Sequence, residues 1–216
     1  MAKKIYEKFD VKKISGMPRL VFPGRVFVIA TEREAAKAVD YIMTHELVGV
    51  DTETRPSFRK NVSYKVSLLQ VSTGEECFLF RLNILGISAS IKRFLESKVK
   101  KVGASLHDDI LMMSKRESFR PKNFIDVQDM IEALGVKDKA LRKMYANLLG
   151  KNISKAQQLS NWEADVLSDA QKQYAATDAW ACINLYDEIN RLVATRDYEF
   201  IAAPKEEDSE TLKIES

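Results

Sequence analysis

The chain has 216 residues, 45% hydrophobic and 30% charged, with a formal net charge of +3. That suits one globular domain with a full core, and no apolar run approaches the roughly 20 residues needed to span a bilayer. Cys77 and Cys182 are too few for a disulfide framework and form no CxxC pair, so they read as small buried residues of a reducing compartment. The lysine-rich start leads into no apolar signal segment, and a cytoplasmic location is expected.

Strand and helix signals alternate along the body. Val26–Ala30 ("VFVIA") is short and β-branched, a strand; Thr31 can cap the helix "EREAAKAVDYIMTH", whose Ala35, Ala38, Val39 and Ile42 form an apolar stripe. "LVGVDTE" reads as a second strand, apolar up to Asp51. "YKVSLLQVST" and "ECFLFRL" read as two strands joined at Thr73-Gly74. Helical "ISASIKRFLES" leads to the short strand "KKVGAS", then to helical "LHDDILMMSKR". "NFIDVQDMIEAL" is a brief strand passing into a helix, and "KALRKMYANLLG" is a helix closed by Gly150. The longest helix starts after Ser168, a plausible N-cap, in "SDAQKQYAATDAWACINLYDEINRLVA". This order predicts a three-layer α/β fold with a mixed central sheet. Residues 1–24 read as a polar lead-in, 25–195 as the one domain, and 196–216 as an acidic, disordered tail.

Three groups of polar residues stand out. Asp-x-Glu occurs at Asp51-Thr52-Glu53, Asp197-Tyr198-Glu199 and Asp208-Ser209-Glu210, but only the first follows an apolar strand. There, positions two apart share a face, so both carboxylates project together at the strand end. Solvated loop acids would give the same pattern. Asp108 and Asp109 open a helix after "KKVGAS"; acids at a helix N-terminus also serve the macrodipole without chemistry. Asp109 reads as the inward member, Asp108 as its solvent-side neighbour. In the long helix, Tyr174 and Asp178 lie one turn apart and point to one place. A ligated metal or a plain Tyr–Asp hydrogen bond would satisfy them equally.

Taken in order, these motifs resemble the DEDD superfamily of 3′–5′ exonucleases in its tyrosine-containing branch. The run "LLGKNISKAQQLSNWEADVLSDAQKQYAATDAWACINLY" is similar to the Werner-type and ribonuclease D-like exonuclease domains, and "YKVSLLQVSTGEECFLF" to that family's second and third strands. The likeness covers roughly residues 25 to 195. Ser105 stands where many relatives carry asparagine.

The resemblance implies an RNase H-like fold and hydrolysis of nucleic acid from the 3′ end by two divalent cations, Mg²⁺ or Mn²⁺, releasing nucleoside 5′-monophosphates. It assigns Asp51, Glu53, Asp109 and Asp178 as metal ligands and Tyr174 as the residue that orients the attacking water. An all-oxygen donor set suits such hard cations. Thr52 is expected to approach the terminal nucleotide through its amide or side chain. In the loop "RPSFRKNVSYK", Arg55, Arg59, Lys60 and Lys65, interleaved with Phe58 and Tyr64, could grip phosphates and stack on bases. The expected partner is DNA or RNA with a free 3′ end, acted on by a monomer. A catalytically weak nucleic-acid-binding module on the same fold is the alternative; a nucleotide-binding enzyme is disfavoured by the lack of GxxxxGK[ST] and of GxGxxG after a strand.

Overall fold

A computed structural model describes residues 3–204. Its centre is a six-stranded sheet built from β2 (Arg25–Ile29), β3 (Leu47–Glu53), β4 (Leu68–Ser72), β5 (Glu76–Arg81), β6 (Lys100–Gly103) and β7 (Phe124–Asp126). The order across the sheet is β2-β5-β4-β3-β6-β7. β4 runs antiparallel to both β3 and β5, and the remaining pairs are parallel, so the sheet is mixed as expected. β4 and β5 form the anticipated hairpin around Thr73-Gly74, with Gly74 at φ +101°.

Helices cover both faces. On one side lie α2 (Glu32–Ile42), α4 (Ala89–Leu95) and α5 (Leu106–Ser114), packed on Val48, Val50, Leu69, Val71 and Phe80. Thr31 caps α2 in a capping box with Glu34, which satisfies two otherwise orphaned backbone donors. On the other side lie α6 (Val127–Met130), continued by a 3₁₀ turn, α7 (Leu141–Leu149) and α8 (Asp169–Thr195). Gly150 closes α7 in the left-handed conformation, at φ +64°. Short α3 (Leu82–Leu85) follows β5 directly.

The ends depart from the sequence expectation. β1 (Lys3–Tyr6) pairs in parallel with β8 (Tyr198–Ile201), and α1 (Val11–Ile14) packs its Ile14 inward. Ile5 is fully buried among Leu134, Val136 and Leu192. The lead-in and the first residues after α8 are thus parts of the fold, tied further by Glu7, which pairs with Lys137 and accepts from the amide of Ala203. Asp208-Ser209-Glu210 and the rest of the expected tail from 205 lie outside the described residues. Among the described residues no helix is long and apolar enough to cross a membrane.

Gly49 decides how closely α8 lies on the sheet. A Cβ there would fall 2.0 Å from the carbonyl oxygen of Ala179. Together with Ala175, Ala176 and Ala179, all fully buried, it lets the helix backbone rest against β3.

Candidate active site

The close packing of α8 on β3 brings two distant parts of the chain together. Asp51 and Glu53 project from the end of β3 on the face that α8 covers, and Asp178 meets them from the helix. Carboxylate oxygens of Asp51, Glu53 and Asp178 lie within 4.8 Å of one another. Asp109, in the first turn of α5, stands beside this group and accepts a hydrogen bond from the Thr52 hydroxyl at 2.6 Å. Asp108 is exposed, as its reading as the outward neighbour requires.

The start of α5 is anchored by Asp126, whose carboxylate accepts from the amides of Ser105 and Leu106. Ser105 itself sits at φ +64°, a left-handed conformation that asparagine adopts more readily than serine. That gives the family's asparagine a backbone reason and Ser105 a small conformational cost. The start of α8 is anchored by Gln171, which completes a capping box with Ser168 and donates to Ser160 Oγ and the Asn161 carbonyl. The Ser160-Asn161-Trp162 stretch is thereby tied to the helix carrying Tyr174 and Asp178, with the Trp162 ring fully buried beside Tyr174.

Electrostatically the site is overloaded with negative charge. Burial, and then the charges of Asp109 and Asp178, push the Asp51 carboxyl well above its usual range. Burial and the neighbouring acids push Glu53 up to about 10. Burial raises Asp178 to about 7 and Asp109 to about 6. The Tyr174 phenol is raised as well, by burial and then by the charges of Asp178 and Glu53. Asp178 Oδ1 is buried with no hydrogen-bond partner among the described residues. Buried acids crowded in this way repel unless protonated or held by cations, and a buried oxygen without a donor costs about 1–3 kcal/mol. An oxygen-only set with an orphaned carboxylate oxygen fits a hard divalent cation.

Asp51, Glu53, Tyr174 and Asp178, but not Asp109, line a cleft of about 320 Å³. Its other wall carries Gln128, Arg142, Lys155 and Gln158, which the sequence reading did not name. Lys155-x-x-Gln158 lies inside the family-like run, but a single sequence does not say which polar residues of a loop face inward.

The loop after β3 behaves in two parts. Arg55 stacks on Tyr64 at 4.8 Å and pairs with Glu163, and with Phe58, Arg59, Leu159 and Asn161 it lines a hollow of about 460 Å³ next to the cleft. The Phe58 ring is 84% exposed. Lys60 and Lys65 are exposed and lie outside that lining. Both Thr52 groups expected to meet a nucleotide are engaged internally, the hydroxyl with Asp109 and the amide with Asp51 Oδ1 at 2.9 Å.

Comparison with known proteins shows the family. A family model described as 3′–5′ exonuclease matches residues 26–194. The mouse (Mus musculus) bifunctional 3′-5′ exonuclease/ATP-dependent helicase WRN is 26% identical over 82% of this chain and 13% of that protein. A 3′-5′ exonuclease of Arabidopsis thaliana is 30% identical over 84% of this chain and 69% of its own length. Ribonuclease D of Haemophilus influenzae is 29% identical, over 88% of this chain and 48% of its own length. The chain thus spans about an eighth, two thirds and half of these relatives. Among solved structures, the Nibbler EXO domain of Aedes aegypti superposes with a TM-score of 0.72 at 19% identity, covering 85% of this chain and 94% of that one. Trypanosoma brucei RNase D in complex with RNA U12 superposes with a TM-score of 0.68 at 18% identity, covering 78% and 63%. These likenesses show the shared RNase H-like exonuclease fold. With the family model covering nearly the whole body, the chain belongs to the 3′–5′ exonuclease family of the DEDD superfamily, a family of hydrolases.

Proposed function

We propose that this protein removes nucleotides from the free 3′ end of DNA or RNA, releasing nucleoside 5′-monophosphates. The observation that carries the reading is the meeting of Asp51, Glu53 and Asp178 within 4.8 Å, in a cleft of a chain of this family. Two divalent cations, Mg²⁺ or Mn²⁺, when bound, would lower the pKa of water and neutralise charge on the phosphate oxygens. Asp51 would help to hold them. Glu53 and Asp178 would complete one position, and Asp109 the other.

The chain's own groups do the rest. A free phenol ionises only near a pH of about 10, so the Tyr174 phenol, held beside Asp178, keeps its proton at neutral pH. It therefore orients the attacking water by hydrogen bonding instead of deprotonating it. Arg142 and Lys155 on the facing wall offer cations for the phosphates of the bound end. Beyond the cleft, Arg59 and the exposed Phe58 ring would receive the next nucleotides, the ring stacking on a base. Lys60 and Lys65 would act at longer range on the phosphate backbone. The free, buried Cys77 and Cys182 suit a reducing, cytoplasmic setting.

The test is the identity of the product. DNA and RNA oligonucleotides are digested with Mn²⁺ in ¹⁸O-water, and the products are read by mass spectrometry. Nucleoside 5′-monophosphates carrying one ¹⁸O on phosphate are expected, and the preferred sugar is read from the same experiment. Retained binding without any cleavage would favour a non-catalytic nucleic-acid-binding module instead.

A further inference from the structure

The family match begins at residue 26, and the extended segment before it makes contacts that the exonuclease reading leaves unused. We propose that residues 18–22 form a strap that sets the catalytic turn of α8, with Thr177 as the positioning residue through which it acts. The proposal rests on the exonuclease reading.

The strap alternates. Arg19 and Val21 are exposed, whereas Leu20 and Phe22 are 3% and 2% exposed and enter two different core clusters. One of its residues, Phe22, is bonded to α8 twice. The amide of Phe22 donates to Thr177 Oγ1 at 3.1 Å, and its carbonyl accepts from Gln173 Nε2 at 2.8 Å. The Thr177 hydroxyl meanwhile donates to the Gln173 carbonyl at 2.7 Å. The Phe22 ring packs edge-on to Trp180 at 5.8 Å. Residues 173, 177 and 180 form one face of the helix, immediately beside the face that carries Tyr174 and Asp178.

The same strap holds the opposite wall. The Leu20 amide donates to the Asn152 carbonyl and the Asn152 amide to the Pro18 carbonyl, both at 2.9 Å. Asn152 Oδ1 in turn accepts from Arg142 Nε at 2.9 Å, and Ile153 and Ser154, next in the chain, line the cleft. One short segment therefore fixes both sides of the cleft relative to each other. Removing the Thr177 hydroxyl leaves the buried Phe22 amide without its acceptor, so the strap and helix must part or shift. A shift on the order of 1 Å at the reacting groups can cost about 10²-fold in rate.

The experiment compares Thr177→Val, which keeps the shape and loses the hydroxyl, with Thr177→Ser, which keeps the hydroxyl. Cleavage kinetics are measured in wild-type and Tyr174→Phe backgrounds, and Mn²⁺ binding by calorimetry. We expect Thr177→Val to lower kcat by about tenfold with KM nearly unchanged, and Thr177→Ser to restore it. Its effect should be smaller in the Tyr174→Phe background, the non-additivity of groups acting together. Mn²⁺ affinity should fall in the valine variant and not in the serine variant, because Asp178 shares the turn. Gln173→Met, at a half-buried position, removes the second tie and should act in the same direction if the valine variant folds poorly. Wild-type kcat and Mn²⁺ affinity in both Thr177→Val and Gln173→Met would overturn the strap, as would a serine variant as impaired as the valine one. If the wild-type protein cleaves nothing, the exonuclease reading fails by itself and the Mn²⁺ comparison still decides the strap.

Discussion

Replacing Gly49 with alanine tests the packing that assembles the site. Gly49 lies two residues before Asp51 on β3, directly under α8. An added methyl would sit 2.0 Å from the Ala179 carbonyl oxygen and 2.9 Å from Ile183 Cγ1, whereas ordinary contact begins at 3.4 Å. The helix, or the strand, must yield by about 1.4 Å, the difference between contact and clash. Asp178 directly precedes Ala179, so its carboxylate moves away from Asp51 and Glu53 by a similar distance. Overpacking of this kind costs about 1–3 kcal/mol, which for a domain of this size lowers Tm by roughly 2–12 °C. Loss of alignment should cost up to about 10²-fold in kcat. Thermal unfolding and 3′-end digestion of a labelled oligonucleotide read the two effects separately. A Gly49→Ala protein with wild-type Tm and kcat would refute the idea that this contact sets the position of Asp178.

Further outcomes follow from charge and from base stacking. Glu53, Asp178 and Asp109 have folded pKa values near 10, 7 and 6, above the usual carboxylate range near 4. Their protonated forms stabilise the metal-free fold at low pH, and that contribution is lost as pH rises from about 4 through the folded values. In EDTA, Tm should therefore fall between pH 5 and 8, and Asp178→Asn should flatten the decline. Adding Mn²⁺ at pH 8 should restore the loss by binding the folded state alone; a metal-free Tm that rises over this range would contradict the electrostatic account. In the loop after β3, Phe58→Ala should weaken binding of a single strand by about 1–3 kcal/mol. Substituting Arg59, Lys60 and Lys65 together should raise KM and flatten its salt dependence, measured from 50 to 200 mM salt.

The alternating strands and helices were legible because apolar runs are short, bounded and differently spaced, and because Thr31 and Ser168 cap the helices that follow them. Asp51 with Glu53, and Tyr174 with Asp178, could each be paired from strand and helix periodicity. Their meeting depends on Gly49 and the alanines of α8, whose role is visible only once strand and helix touch. Lys3–Tyr6 and Tyr198–Ile201 were not legible as strands because each is four residues long and its partner lies nearly a chain length away. The strap escaped for a related reason. It is held largely by backbone groups, which leave no residue signature, across 155 residues from Phe22 to Thr177. The bond from the Thr52 hydroxyl to Asp109 joins residues far apart in the chain and leaves no local sequence signature.

The most direct measurement of the central claim is digestion of 5′-labelled DNA and RNA with Mg²⁺, with Mn²⁺ and with EDTA, beside Asp51→Ala and Tyr174→Phe. The account predicts a ladder shortening from the 3′ end only with a divalent cation, absent in Asp51→Ala and slowed by about 10² in Tyr174→Phe. Cleavage that survives Asp51→Ala, or that proceeds undiminished in EDTA, would contradict it.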